Sequence, residues 1–191
     1  MASYQKLGLL SLFLTSLSSC FASNTGRSAP GSSPCSAIAA ILGGKVFFPG
    51  DSGYDASDQS YFFAEARLSP VCIVAPTSAA DVAKTIQVLG NQLGGSSPVF
   101  AIRGGGLLPN IGAANVNEGV TIDLRSLNST TVDGSRTIAS VGAGALWGNV
   151  YKTLDAMNLG AVGARIATAG VGGYFVGGKL LIKSLLELFT H

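Results

Sequence analysis

Histidine is almost missing from this 191-residue chain, and its single copy, His191, is the last residue. A Ser-His-Asp or Cys-His arrangement would have to rest on a terminus that frays, so nucleophilic chemistry of that kind is not supported. Cysteine is scarce as well, with three copies, and none lies in a cluster with zinc-ligand spacing. Charged residues make up only 12%, and twelve Lys and Arg against ten Asp and Glu leave a net charge of +2. They form no basic stripe for nucleic acid, no acidic calcium loop and no carboxylate pair that points to glycosidase chemistry. There is no internal repeat. The length bounds one domain.

What is present begins with a processing signal. Lys6 supplies a positive start, residues 7–17 an apolar run, and Cys20-Phe21-Ala22 a small-x-small cleavage site, so residues 1–22 read as a signal peptide. A membrane anchor is the alternative, disfavoured because the run is short and the polar stretch 23–33 follows it. Secretion is expected. Cleavage removes Cys20 and leaves Cys35 and Cys72, an even pair that predicts a disulfide in an oxidising compartment, against the alternative of two free thiols. Asn128-Ser129-Thr130 is the only N-glycosylation sequon.

Glycine is plentiful, with 26 copies. After a Ser/Gly/Pro linker over 23–34, the pattern predicts a helix over 36–42, a strand over 46–48 closed by Pro49-Gly50, and a loop over 51–68. A buried strand over 71–75 and a capping box at Ser78–Asp81 lead into a helix with Val82, Ile86, Leu89 and Leu93 on its inner face. A break at 94–98 precedes a strand over 99–102, so this stretch favours parallel pairing of its two strands. Strands over 120–124, open to hairpin pairing, and 137–141 flank the turn Asp133-Gly134-Ser135. A second amphipathic helix covers 145–157, with Leu146, Val150, Leu154 and Met157 inward.

Three glycine loops carry the chemical interest: Arg103-Gly104-Gly105-Gly106, Gly142-Ala143-Gly144, and Gly170-Val171-Gly172-Gly173. Backbone without Cβ lets N–H groups converge on an anion, and Arg103 could add charge. Neither a Walker sequence nor a dinucleotide fingerprint is present. Three such loops suit a long ligand threaded through the domain; equally, they suit close packing of strands and helices.

Those loops, taken with Val71–Pro76, Asp81-Val82, Gly112-Ala113-Ala114-Asn115, residues 119–125 and Trp147-Gly148-Asn149-Val150-Tyr151, resemble the fungal FAD-binding domains of PCMH type. These belong to the oxygen-dependent FAD-linked oxidoreductases of the berberine-bridge-like group. The resemblance covers residues 35–178. It implies an α+β fold of two packed α/β subdomains with FAD between them, and a small-molecule substrate if the protein turns over. Arg103, Gly104, Gly105, Gly106 and Leu107 would then line the pyrophosphate and flavin, and Gly112 and Ala113 would continue that wall. Gly142, Gly170, Gly172 and Gly173 would approach from the second subdomain. Trp147 reads as a core aromatic, and the Cys35–Cys72 pair would match a disulfide common at the start of such domains.

Two departures accompany the likeness. The family usually follows its triglycine with a His that bonds to the flavin, and here Leu107 stands there; residues 163–169 hold no Cys for a second link. Any FAD is therefore expected to be held noncovalently. After Gly178 the family pattern gives way to a divergent tail over 179–191, so the domain reads as C-terminally incomplete. No catalytic base can be assigned. A secreted fragment without turnover, with weak or no FAD binding, is the competing reading, and a flavin-free binding module is a third.

Overall fold

The computed structural model describes residues 33–91 and 99–177. The expected signal peptide, the linker up to residue 32, Leu93 with the break at 94–98, and Gly178 with the tail lie outside the described residues. The fold is α+β, in two subdomains that each have their own core.

The first subdomain starts with helix α1 (Pro34–Leu42). Ser33 caps it by accepting from the Ser36 N–H at 3.2 Å, and Pro34 sits where no donor is needed. Cys35, Ile38 and Leu42, spaced by three and four, are its buried stripe. The helix stops at Gly43, whose φ of 56° excludes most side chains. Four strands follow in the spatial order β1-β2-β4-β3: β1 (Val46–Phe47), β2 (Cys72–Val74), β3 (Phe100–Arg103) and β4 (Val120–Asp123). β1 is antiparallel to β2, while β2 and β3 both run parallel to β4, with Cys72 and Phe100 each opposite Val120. Every residue of β2 and β4 is buried.

Helix α3 (Ala79–Asn91) packs on α1. Ser78 Oγ accepts the Asp81 N–H at 3.2 Å, as the capping box requires. Its inner face differs from expectation. Asp81, Thr85 and Leu89 are buried, Val88 packs partly against the core, and Ile86 is exposed. Asp81 turns inward because Lys45 reaches it at 2.6 Å and Thr77 donates to it from both N–H and hydroxyl. The Thr85 hydroxyl is satisfied by the Asp81 carbonyl, so polar residues occupy the stripe that apolar periodicity assigns elsewhere.

Three further expectations are corrected. The stretch 51–68 is not mainly loop: helix α2 (Ser52–Asp58) lies within it, with Tyr54 and Ser57 buried. Only one of those two is apolar, so the helical period is hidden. β2 and β3 do not pair with each other, because β4 inserts between them. β4 forms no hairpin; the hairpin joins β5 (Thr130–Val132) to β6 (Ala139–Val141), around Asp133, whose carboxylate accepts the N–H groups of Thr137 and Ile138. Three residues of β5 with no buried side chain gave no alternation to detect.

Helix α4 (Trp147–Asp155) and the short α5 (Val171–Val176) complete the second subdomain. Trp147, Val150 and Leu154 are buried with Ala145, Ala164 and Val171, whereas Met157, expected inward, is exposed beyond the helix end. Trp147 is 2% exposed and meets the rings of Tyr151 and Tyr174 at 5.4 and 5.5 Å, which makes it a core aromatic.

Cys35 and Cys72 form the disulfide, tying α1 to β2 across 37 residues of sequence. Closing a loop of that length restricts the unfolded chain by about 4 kcal/mol in the entropic account. Replacing both cysteines by Ala is expected to cost roughly 2–5 kcal/mol, seen as a lower urea midpoint with a steeper slope, because the uncrosslinked unfolded chain exposes more surface.

Candidate functional site

The three glycine loops meet. β3 ends at Arg103 and delivers Gly104–Gly106 to the seam between the two cores, where the segments 142–146 and 167–172 are already laced together. Val171 N–H donates to Ala145 O at 2.8 Å, Gly172 N–H to Ala143 O at 3.2 Å, and Trp147 N–H to Ala169 O at 3.0 Å. Leu146 and Gly170 form an isolated antiparallel bridge.

Glycine is dictated at several of these positions. A Cβ on Gly105 would lie 2.8 Å from the backbone nitrogen of Gly170, and one on Gly170 would lie 2.4 Å from that of Gly105. Gly172 is pressed to Ala143 O, while Gly142 and Gly144 face the carbonyls of Leu127 and Leu124. Both readings of the glycine loops therefore apply: Gly105, Gly142, Gly144, Gly170 and Gly172 are needed for backbone-on-backbone packing. A Cβ added at Gly173 or Gly112 would meet nothing within 4 Å, and Gly104 is bordered only at ordinary distance. At those places bare backbone is left for a ligand to approach.

Other expected residues fall less centrally. Gly112 and Ala113 are exposed on the connection from β3 to β4, with Gly112 at a φ of 82°. Leu107 is half-buried. The Arg103 side chain is fully buried rather than open to the seam; its Nη1 donates to Ser57 O at 2.6 Å and lies 3.8 Å from Asp123 Oδ2. Beside the seam, Val141, Ala143, Trp147, Val150, Val171 and Phe175 help line an apolar cavity of about 460 Å³ in the second subdomain.

Sequence reasoning gave no role to the polar group that backs the loop. Ser57 Oγ donates to Asp123 Oδ2 at 2.6 Å, and Arg125 Nη2 meets the same oxygen at 2.6 Å. Burial pushes the Asp123 carboxyl up, but hydrogen bonds from Arg125 and Ser57 and the charges of Arg125 and Arg103 outweigh it and hold it below the usual carboxylate range. Asn115, 1% exposed, accepts from Thr121 Oγ1 at 2.8 Å and donates to Ala66 O at 3.1 Å, pinning the connection into β4. Both stand inside motifs that carry the family resemblance, Asn115 in 112–115 and Asp123 and Arg125 in 119–125.

Gly105→Ala and Gly170→Ala are expected to destabilise the protein by about 1–3 kcal/mol through forced separation of the loops, whereas Gly173→Ala should stay within about 0.5 kcal/mol; thermal midpoints distinguish the two classes. Asp123 predicts an acid limb. Because its carboxyl titrates lower when folded than the roughly 3.9 of an unfolded Asp, its contribution is complete above about pH 4 and is lost as pH falls through the native value. Asp123→Asn should flatten that limb and cost about 3 kcal/mol at neutral pH, measured by urea unfolding across pH.

Comparison with known proteins agrees with this geometry. Residues 70–184 match the FAD binding domain family. The chain is 43% identical over 146 residues to the FAD-dependent monooxygenase sdcF of Emericella nidulans, covering 76% of this chain and 30% of that protein. It is 37% identical over 143 residues to the FAD-dependent monooxygenase drtC of Aspergillus calidoustus, covering 75% and 27%. Among solved structures, 6-hydroxy-D-nicotine oxidase from Arthrobacter nicotinovorans superposes with a TM-score of 0.59 at 30% identity, over 67% of this chain and 27% of that one. Glucooligosaccharide oxidase from Acremonium strictum, described with a 6-S-cysteinyl, 8α-N1-histidyl FAD, shares the fold at a TM-score of 0.64 and 21% identity, over 76% and 30%. The chain thus spans under a third of the length of these curated relatives. Converging loops with bare backbone at Gly104 and Gly173 fit an extended phosphate-bearing cofactor. The chain belongs to the FAD binding domain family, and its cofactor is FAD.

Proposed function

We propose that this chain is the cofactor-holding portion of a secreted FAD-linked oxidoreductase and that it holds FAD without a covalent bond. The observation that carries the reading is the meeting of Gly104–Gly106 with Gly170–Gly173 at the seam between two cores, followed directly by Leu107. The flavin, when bound, supplies hydride acceptance from a substrate C–H and electron delivery to oxygen. The protein's own part is placement. Exposed backbone at the loops receives phosphate oxygens, and the two cores keep the loops in register. Leu107 offers no nitrogen for attachment to the flavin ring, and residues 163–169 offer no thiol.

Support for secretion comes from the apolar start of the chain and from the Cys35–Cys72 bridge, which suits an oxidising compartment. Asn128 is exposed just before β5, a position open to glycosylation. A small organic molecule is the substrate class in keeping with the relatives, and the chemistry on it needs groups beyond those identified in this chain.

Purified protein incubated with FAD and freed of excess should be yellow. Acid precipitation should then release all flavin to the supernatant and leave the protein at its unmodified mass. Flavin retained in the precipitate would refute noncovalent binding; protein that stays colourless would refute the cofactor role.

A further inference from the structure

Arg103 presents a puzzle if its task is to neutralise phosphate. It follows the strand that feeds the glycine loop, yet its side chain is 0% exposed. Nη1 donates to Ser57 O at 2.6 Å and reaches Ser57 Oγ at 3.2 Å; Nη2 donates to Ser60 Oγ at 3.0 Å. The guanidinium carbon lies 3.6 Å from the centroid of the Tyr61 ring, a stacked cation–π contact. Residues 57–61 thus take three hydrogen bonds from the group and cover one of its faces.

Its Nε–Nη2 edge meets the loop. Gly106 has a φ of 71°, and a Cβ there would stand 2.8 Å from both Nε and Nη2 of Arg103. The loop therefore rests on the guanidinium, at the one residue whose backbone bends into the left-handed region. The same segment that holds the guanidinium also holds the loop directly, since Phe62 N–H donates to Gly106 O at 3.2 Å. Tyr61 is fixed in turn by its hydroxyl, which donates to Ala114 O at 2.7 Å. Residues 57–62, Arg103 and Gly106 form one connected set of contacts centred on the planar fork, whose buried Nε, next to Gly106, has no hydrogen-bond partner among the described residues.

We propose that Arg103 is a positioning residue for the FAD site: it fixes the shape of the Gly104–Gly106 loop from beneath, through Ser57, Ser60 and Tyr61, and does not contact the cofactor's phosphates. This rests on the cofactor reading above. The planarity of the fork matters more than its charge, because a Lys ammonium cannot stack on Tyr61 while serving Ser57 and Ser60.

The test begins with the ligand-free full chain, by amide hydrogen exchange. In Arg103→Lys and in Tyr61→Leu, exchange at Phe62 should accelerate by about tenfold, the scale of one lost charge-assisted hydrogen bond, with α4 amides unchanged. Tyr61→Phe keeps the ring and should leave Phe62 within about threefold of the parent. With FAD, measured well below each thermal midpoint, Arg103→Lys should weaken binding by about tenfold or more, and the salt dependence of binding should match the parent's. Equal acceleration in α4 and at Phe62 would reduce Arg103 to general stability and overturn the proposal. Unchanged exchange in Arg103→Lys and Tyr61→Leu would do the same, as would FAD affinity retained in Arg103→Lys but stripped of salt dependence in Arg103→Met. Should the parent bind no FAD, the cofactor reading fails, while the exchange comparison still decides whether Arg103 holds the loop.

Discussion

Backbone pressed against backbone at Gly105 and Gly170 is the contact on which the two halves of this structure depend. Each glycine occupies the space where the other's side chain would be, so neither can be exchanged without moving a whole segment. The lacing of 142–146 to 167–172 places Gly170 there, and the parallel strand β3 delivers Gly105 from the other core. The seam is consequently set by main-chain geometry, which varies little with the identity of the surrounding side chains. A cofactor that is long and carries phosphates suits such a seam, since both of its walls are backbone.

Behind the seam, charge is handled by a compact polar group and not by apolar packing. Asp123 is shared by Ser57, Arg125 and Arg103, and the connection into β4 is locked by Asn115. Buried polar groups of this kind are costly when half-satisfied and specific when complete. They join segments far apart in sequence: α2, the end of β3 and the end of β4.

Much of the first core was legible because its signals are local. The buried run of β2, the Ser78 cap and the strand running into glycines each announce an element through residues next to one another. What escaped was decided elsewhere. Asp81 faces inward partly because Lys45, 36 residues earlier, reaches it. β4 takes the place between β2 and β3 through pairing that no short window contains. At the site, the glycines could be picked out by composition, but their division into those pressed together and those left bare could not, because it depends on which loop faces which. Arg103 shows the same limit: its charge is visible in sequence, and the full burial of its side chain is not.

The two cores carry different built-in reporters. The chain has one tryptophan, and Trp147 sits in the second core, while the bridge between Cys35 and Cys72 sits in the first. Indole emission therefore follows the loosening of the α4 side alone, and thiol release under reductant follows the α1 side. Comparing the two signals during unfolding reads directly whether the seam makes the halves melt as one cooperative unit or as two.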